Sequence, residues 1–415
     1  MLIFDLDGTL YRTHETSLPS FRKICAKYKV PLTDEGERYM LFTTTGSFLR
    51  KYAPDMTAET RAEFGAEYKQ LEIAAVKKHG RLFNGARELL EMLAADGADM
   101  VICGMGSKEY IDAVLERCGI RHFFKAVYHR IDGLTKGQVM AKLLSDFGAN
   151  ANECLMVGDS ITDITAAREN GVPFIGVTYG YGAGDITDAD ILTDDLPQLQ
   201  AAIYRTLIYS RIERDISTLS KPAVLGLSGI DTSGKTVFAS ELADYLVRRG
   251  IDTTVVNLDD FHNPREVRYT DMSPRGYMEL SFDTEKLRNL ISGLKHGASV
   301  SAEAHDVDSN SYFRKDFEVT VNSIIIVEGV LLYRPPLDAL FDYRVFLDIT
   351  ADEVLRRAAL RDVPRYGEAF LQKYIDRYIP AHELYLNEHS PKEKCSLIID
   401  NNDFNKPSIT NAFGI

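Results

Sequence analysis

The sequence predicts an α/β protein with two domains in tandem. Its 415 residues exceed the usual size of one compact domain, which is about 150 residues. Short apolar runs alternate with amphipathic segments along most of the chain, and this alternation is typical of parallel strands joined by crossover helices. The alternation starts again after Pro222. We therefore expect one domain over residues 1–204 and another over residues 205–415.

The first half contains four apolar runs that we interpret as strands of one sheet: Leu2–Asp5, Met100–Cys103, Cys154–Val157 and Phe174–Val177. Each run is followed by turn residues and then by a segment with helical spacing. Residues 14–84, between the first two runs, show helical spacing of their apolar side chains and contain no clear strand. We expect this insertion to form a helical cap.

The second half repeats the pattern. A helical stretch from about Pro197 ends at Ser220-Lys221-Pro222, and a new strand–turn–helix series follows. Its apolar runs predict five further strands: Ala223–Leu227, Thr253–Leu258, Ser323–Val327, Tyr343–Leu347 and Ser396–Ile399. We interpret this half as a second parallel α/β sheet.

The charge balance narrows the choice of partners. Lys and Arg number 48 against 61 Asp and Glu, which gives a formal net charge of −13. This excess of negative charge disfavours broad contact with nucleic acid or anionic lipid. It does not disfavour a small phosphate ligand, because local backbone amides and one or two lysines can bind it. We expect small metabolites as partners, and neither nucleic acid nor a membrane.

The first strand-like run, the length of the apolar stretches and the spacing of the cysteines predict a cytoplasmic protein. Asp5 and Asp7 lie in the first strand-like run, where an export signal would have a basic start and an apolar stretch. The longest apolar stretch, Ser323–Tyr333, is interrupted by Glu328 and is shorter than the about 18 residues of a membrane span. The five cysteines are scattered without a CxxC pair, as expected for reduced thiols in a core.

Two carboxylates follow the first strand. Asp5 and Asp7 are two residues apart in Asp5-Leu6-Asp7-Gly8-Thr9, so in an extended segment their side chains point the same way. Open α/β sheets bind ligands at the carboxyl ends of their strands. Two close carboxylates repel each other, and Mg²⁺ would stabilise the pair. The alternative is a strand end with two solvated acids.

A second acidic segment, Gly158-Asp159-Ser160-Ile161-Thr162-Asp163, also follows a strand, and Lys136 lies 23 residues before Asp159. Together, these motifs resemble those of the haloacid dehalogenase-like hydrolases over about residues 1–204, and the insertion resembles the cap of phosphoglycolate-phosphatase-like members. The resemblance implies a Rossmann-like parallel sheet. It also implies that Asp5 attacks a phosphoryl group, Asp7 acts as acid and then as base, and Lys136 neutralises charge. The implied Mg²⁺ ligands are Asp5, Asp7, Asp159 and Asp163.

One motif departs from that family. The family usually has Ser or Thr at the end of the second core strand, where this chain has Gly104. Backbone amides of Gly104–Gly106 can replace the missing hydroxyl, or Ser107 can reach the phosphate, although Ser107 equally suits a helix N-cap. An active phosphatase and a degenerate domain that only senses a phosphorylated ligand are therefore both open.

The second half carries a phosphate-binding loop. The run Gly229-Ile230-Asp231-Thr232-Ser233-Gly234-Lys235-Thr236 fits GxxxxGK[ST] and lies between an apolar strand and an amphipathic segment. Glycines let the backbone wrap a phosphate, Lys235 reaches the β- and γ-phosphates, and Thr236 ligates Mg²⁺. We therefore expect ATP and Mg²⁺ as cofactors.

Residues from about Lys221 to Pro407 resemble the uridine kinase and phosphoribulokinase group, which has a P-loop nucleoside triphosphate hydrolase-type parallel sheet. The resemblance implies that Asp259, or else Asp260, is the base that takes a proton from the acceptor hydroxyl. It implies that Glu328 completes the Mg²⁺ shell, and an acid within such an apolar run would be costly as a plain core residue. Arg357 and Arg361 match a lid helix over the ATP phosphates, with a solvated helix face as the alternative.

The prediction from the sequence is thus a bifunctional enzyme: a Mg²⁺-dependent phosphatase and an ATP-dependent kinase of a small hydroxylated, nucleoside-like acceptor. One alternative is an active kinase regulated by a degenerate hydrolase-like domain that senses a phosphorylated ligand. Another is a nucleotide-dependent switch without transfer chemistry, which Asp259 and the lid-like arginines argue against.

Overall fold

The computed structural model describes residues 1–307 and 309–410. The chain divides into two compact units, Met1–Ser210 and a second unit that begins at Arg211. The division falls within one helix, Leu196–Ile216. The last five residues of the predicted second domain, 411–415, lie outside the described residues. Each unit is built on a largely parallel sheet flanked by helices, which confirms the prediction of two tandem α/β domains.

The first unit contains a six-stranded sheet in the order β3-β2-β1-β4-β5-β6, with every neighbouring pair parallel. Its strands are β1 (Leu2–Phe4), β2 (Met100–Cys103), β3 (Ala126–Tyr128), β4 (Leu155–Gly158), β5 (Phe174–Val177) and β6 (Ile191–Thr193). In the register, Ile3 pairs with Val101 on one side and Met156 on the other. The motif-bearing strands β1 and β4 are therefore adjacent at the centre of the sheet.

The insertion between β1 and β2 is helical, as predicted. Its long helices are α1 (Ser17–Tyr28), α2 (Asp34–Leu41), α3 (Thr45–Tyr52) and α4 (Ala58–His79). They share a core of their own that includes Phe21, Phe48, Phe64 and Tyr68. The remaining helices of this unit are α5 (Ala86–Ala95), α6 (Lys108–Cys118), α7 (Lys136–Phe147), α8 (Ile161–Glu169) and α9 (Leu196–Ile216).

The second unit has a six-stranded sheet in the order β14-β13-β12-β7-β11-β8, in which only β14 runs antiparallel to its neighbour. Its strands are β7 (Ala223–Gly229), β8 (Thr253–Asn257), β11 (Ile324–Gly329), β12 (Tyr343–Asp348), β13 (Leu397–Asp400) and β14 (Ser408–Ile409). A separate antiparallel hairpin is formed by β9 (Val300–Asp306) and β10 (Ser311–Phe317).

The described part of the second unit also contains the helices α10 (Lys235–Arg248), α11 (Arg265–Arg268), α12 (Pro274–Leu280), α13 (Thr284–Leu294), α14 (Ala351–Arg361), α15 (Val363–Tyr366), α16 (Phe370–Lys373) and α17 (Ile379–His389). A π-helical turn, Tyr374–Tyr378, precedes α17. Across the described ranges, no helix combines the length and the apolar character needed to cross a membrane.

Candidate active sites

Acidic side chains and one lysine meet at the carboxyl end of the first sheet. Asp5 directly follows β1 and Asp159 directly follows β4, while Lys136 begins α7 and Asp163 lies in the first turn of α8. The Lys136 ammonium donates hydrogen bonds to both Asp5 and Asp163. All four side chains are buried. The fold therefore brings together residues that are far apart in the sequence.

Three of these acids form a group with the spacing of a metal site. Asp5, Asp159 and Asp163 each offer a carboxylate oxygen, and these oxygens all lie within 4.8 Å of one another. Carboxylate oxygens are the ligands that Mg²⁺ prefers. Asp163 has a second role, because its Oδ2 accepts hydrogen bonds from the amides of Asp159 (3.1 Å) and Ser160 (2.9 Å). It therefore also holds the loop that carries Asp159.

Asp7 is not a member of this three-acid group, although the sequence predicts it as a fourth ligand. Its Oδ1 accepts hydrogen bonds from the Thr13 hydroxyl (2.5 Å) and from the Tyr110 hydroxyl (2.7 Å). Both donors belong to elements outside the motif, and neither was singled out from the sequence. The helical spacing of α6 gave no sign that Tyr110 would face β1. The two hydroxyls thus hold the Asp7 carboxylate through the same oxygen, Oδ1.

The electrostatics of this cluster favour a bound cation. Burial raises the pKa of Asp5 well above its ordinary value, and Asp163 and Asp159 add to the rise while Lys136 opposes it. Burial also raises the pKa of Asp159 to about 7. Burial alone would lower the pKa of Lys136, but Asp163 and Asp5 outweigh it and raise that pKa. Several buried carboxylates thus share one lysine, so the donor set fits Mg²⁺.

At the end of β2, this chain has Gly104 in place of the Ser or Thr named in the sequence analysis. Of the amides of Gly104–Gly106, which the sequence offers in place of the hydroxyl, that of Gly104 is already engaged, because it donates to the carbonyl of Tyr128 (3.0 Å). The reason is that the β2–β3 pairing continues one residue past β2. The Ser107 hydroxyl accepts a hydrogen bond from the amide of Tyr110 (3.4 Å) and caps α6, as its N-cap alternative predicted.

A cavity of about 710 Å³ joins this cluster to the cap. The sheet side of the wall includes Asp5, Asp7 and Lys136. The cap side includes residues 43–46 and Glu72 on α4. The acidic cluster and the cap side chains therefore line one cavity that is open to solvent.

Tyr110 offers a test of how Asp7 is held. The substitution Tyr110→Phe removes only the hydroxyl that donates to Asp7, so we expect kcat for p-nitrophenyl phosphate to fall about tenfold, a part of what a positioned acid or base contributes. Tyr128→Phe is the matched control, because the Tyr128 hydroxyl bonds the exposed Asp146 (2.7 Å). Equal kcat values for the two variants would contradict a role for Tyr110.

Glu72 makes the stability of the protein depend on pH. Burial raises the pKa of this carboxyl to about 7 in the folded protein, against the tyrosine and serine hydrogen bonds that lower it. A raised folded pKa means that ionisation of Glu72 destabilises the fold progressively as the pH rises from its unfolded value through about 7. Glu72→Gln should therefore raise Tm by roughly 3–6 °C near pH 8 and by less near pH 5. Calorimetry at both pH values measures this, and an equal rise at both would contradict it.

The second unit carries the phosphate-binding loop between β7 and α10. Gly234 has a φ of 93°, a backbone conformation that favours glycine, and α10 begins at Lys235. The Thr236 hydroxyl donates to Oε1 of Glu328 (2.9 Å), at the end of the neighbouring strand β11. Burial raises the pKa of Glu328, while Lys235 lowers it. The two predicted metal ligands of this unit are thus in contact.

The two candidate bases differ in their surroundings. Asp260 is paired with Lys315 (2.7 Å), and its side chain is 18% exposed. The Asp259 side chain is 66% exposed, and the amide of Asp259 donates to Asn257 Oδ1 (2.8 Å). Because a general base must reach the acceptor hydroxyl, the exposed Asp259 suits the role better than the paired Asp260.

The two predicted lid arginines take different places. The Arg357 guanidinium donates to the carbonyls of Thr232 (3.3 Å) and Ser233 (3.4 Å), so it lies against the phosphate-binding loop. Arg361 forms an ion pair with the adjacent Asp362 (2.8 Å). Arg357 is therefore beside the loop, whereas Arg361 would have to leave this pair to reach a phosphate.

Other polar side chains of the second unit are partly or fully buried. Asp231, part of the phosphate-binding loop that the sequence predicts, accepts a hydrogen bond from the Tyr277 hydroxyl (3.1 Å); Asp231 is half-buried and Tyr277 is buried. Arg268 is 5% exposed, and its Nε and Nη2 have no acceptor among the described residues. His305 is also buried, and its ring packs on that of Tyr312. The burial of a single arginine or histidine cannot be predicted from the sequence, because no pattern of neighbouring residues indicates it.

The two halves of the chain match two protein families. Residues 2–177 match the haloacid dehalogenase-like hydrolases, and residues 224–399 match the phosphoribulokinase/uridine kinase family. The chain is 30% identical over 190 residues to a 5'-nucleotidase of Pseudomonas aeruginosa, covering 44% of this chain and 85% of that protein. It is 27% identical over 225 residues to a phosphoglycolate phosphatase of Agrobacterium fabrum, covering 50% of this chain and 94% of that protein. It is also 27% identical over 199 residues to a uridine kinase of Chlamydia pneumoniae, covering 45% of this chain and 85% of that protein. Both predicted resemblances are confirmed.

Proposed function

Because the chain belongs to the haloacid dehalogenase-like hydrolases over residues 2–177 and to the phosphoribulokinase/uridine kinase family over residues 224–399, we propose that it is a bifunctional enzyme. Residues 1–204 would form a Mg²⁺-dependent phosphatase, and residues 205–415 an ATP-dependent kinase of a small hydroxylated, nucleoside-like acceptor. The observation that carries the proposal is the buried contact of Lys136 with Asp5 and Asp163 beside the cap cavity.

In the phosphatase, a carboxylate oxygen of Asp5 attacks the phosphorus, and the bond between phosphorus and the leaving oxygen breaks. Asp7 gives a proton to that leaving oxygen and later takes one from the water that hydrolyses the aspartyl-phosphate. Lys136 offsets the negative charge at Asp5. Asp5, Asp159 and Asp163 would hold Mg²⁺, which, when bound, supplies further neutralisation of the phosphoryl oxygens.

In the kinase, the amides of the phosphate-binding loop and the Lys235 ammonium hold the β- and γ-phosphates of ATP. Asp259 takes the proton from the acceptor hydroxyl, whose oxygen bonds to the γ-phosphorus as the bond to ADP breaks. Thr236 and Glu328 would hold the Mg²⁺ that accompanies ATP. Arg357 would contact the transferred group, with Arg361 as the second lid residue; the contacts of Arg357 with the carbonyls of Thr232 and Ser233 support this role.

The alternative of a degenerate, ligand-sensing first domain has one feature in its favour, which is Gly104. Against it stand the contacts of Asp5, Lys136 and Asp163, since a domain that only senses a ligand needs no nucleophile held in this way. These contacts support active chemistry in the first domain.

We place the enzyme in the cytoplasm. A kinase of this kind needs ATP, and none of the five cysteines, all of which lie within the described ranges, forms a disulfide, which suits a reducing compartment. The formal charge of −13 supports small metabolites, rather than nucleic acid or a membrane, as its partners.

The kinase proposal is tested by ADP release from the full chain with a panel of acceptors: uridine, cytidine, nicotinamide riboside, pantothenate and ribose 5-phosphate. At least one acceptor should raise ADP release about tenfold or more over its absence, and Asp259→Asn should remove that increase because a positioned base contributes about 10²-fold or more. Asp260→Asn is the matched control and should retain most of the rate. ADP release that none of these acceptors increases would contradict the proposal.

A further inference from the structure

The cap contributes one carboxylate that the proposed phosphatase chemistry does not use. Glu72, on α4, lines the same cavity as Asp5 and Asp7. Its Oε1 accepts two hydrogen bonds, from the Ser17 hydroxyl (2.7 Å) and from the Tyr68 hydroxyl (2.7 Å). Within the described ranges, its Oε2 has no such partner. The carboxylate is therefore fixed in place by two donors, and it retains one oxygen that can accept a further hydrogen bond.

The basic side chains of the cavity wall do not neutralise the Glu72 carboxylate, because each of them pairs with another acid. Lys136 is engaged by Asp5 and Asp163. The other two basic side chains of the wall are also paired, Lys69 with Glu109 (2.9 Å) and Arg130 with Asp132 (3.5 Å). The remainder of the cap wall is largely uncharged and includes three threonines: Thr43, Thr44 and Thr45. A ligand that enters the cavity thus meets hydroxyl groups and one uncompensated carboxylate.

We propose that Glu72 selects the leaving group of the phosphatase, favouring phosphate esters of neutral, hydroxyl-bearing alcohols over esters whose alcohol part carries a carboxylate. A hydroxyl of the leaving group can donate to Oε2 of Glu72. A carboxylate there would add a further negative charge to a cavity already lined by Asp5, Asp7 and Glu72, and like charges in such a site repel strongly. The inference rests on the proposed phosphatase function, and it names the substrate class of that site.

Two esters isolate this effect, because 2-hydroxyethyl phosphate and 2-phosphoglycolate differ only in a hydroxymethyl group against a carboxylate. Near pH 8, wild type should hydrolyse 2-hydroxyethyl phosphate with a kcat/KM about tenfold or more above that for 2-phosphoglycolate. Glu72→Gln keeps the shape and removes the charge, so it should shrink that ratio about fivefold or more, chiefly through faster hydrolysis of 2-phosphoglycolate. Glu67→Gln, an exposed position on the same helix, is the control and should leave the ratio unchanged.

A binding measurement distinguishes a failure of the proposed role of Glu72 from a failure of the proposed phosphatase function. Calorimetric titration of the full-length Asp5→Asn chain with each ester, in the presence of Mg²⁺, should show the same preference without turnover. Equal affinity for the two esters, or a preference for 2-phosphoglycolate, would overturn the role of Glu72 alone. Failure of both esters to bind, together with no hydrolysis of p-nitrophenyl phosphate by wild type, would overturn the phosphatase itself.

Discussion

Asp5→Asn should lower the hydrolysis of p-nitrophenyl phosphate about 10³-fold or more, because the substitution removes the attacking carboxylate oxygen while it keeps the shape of the side chain. Asp5 is buried directly after β1, and Lys136 contacts it. A neutral amide at this position cannot form the aspartyl-phosphate. The loss should appear in kcat, measured as release of p-nitrophenolate by the full chain at saturating Mg²⁺.

The control for this substitution is Asp112→Asn on α6, where the exposed carboxylate pairs only with Lys108 (2.5 Å). It should keep the wild-type rate. Circular dichroism of the Asp5→Asn chain checks that the fold is retained. A folded Asp5→Asn chain that hydrolyses the ester at the wild-type rate would leave the first domain without its proposed nucleophile.

Lys235→Met should lower acceptor-dependent ADP release about 10²-fold or more, because it removes the charge that would meet the β- and γ-phosphates and retains the length of the side chain. Lys235 is buried, and its ammonium donates to the carbonyl of Ile230 (2.7 Å), within the loop. Its ammonium is thus held at the loop that ATP would occupy.

Lys295→Met is the matched control, since Lys295 pairs with Asp342 (3.0 Å) outside the loop, and it should keep most of the kinase rate. ATP affinity, measured by calorimetry, should fall with Lys235→Met. Undiminished acceptor-dependent ADP release by this variant would mean that the loop does not bind ATP in the proposed way.

The strands that could be predicted are the buried ones. All four predicted strands of the first unit are present, because β1, β2, β4 and β5 are continuous apolar runs. The strands β3 and β6 were missed, since each is only partly buried. The hairpin of β9 and β10 was missed for the same reason: eight of its fourteen side chains are exposed. Apolar periodicity cannot indicate a strand that buries few side chains.

The motif residues of the candidate sites could be predicted because each motif is local in the sequence. The partners that hold them could not, because the fold brings those partners from elsewhere. Tyr110 lies 103 residues from Asp7, and their contact depends on how α6 packs beside β1. The ion pair of Arg361 with Asp362 joins neighbouring residues, but helical spacing does not predict the carboxylate with which an arginine pairs.

The central claim is that one chain holds two separate catalytic centres, and the most direct measurement assays both activities in both inactivating variants. Asp5→Asn should lose phosphatase turnover and keep acceptor-dependent ADP release within about twofold of wild type, and Lys235→Met should show the reverse, because additivity holds for independent sites. Loss of both activities in a folded single variant, or retention of both, would contradict two independent catalytic centres.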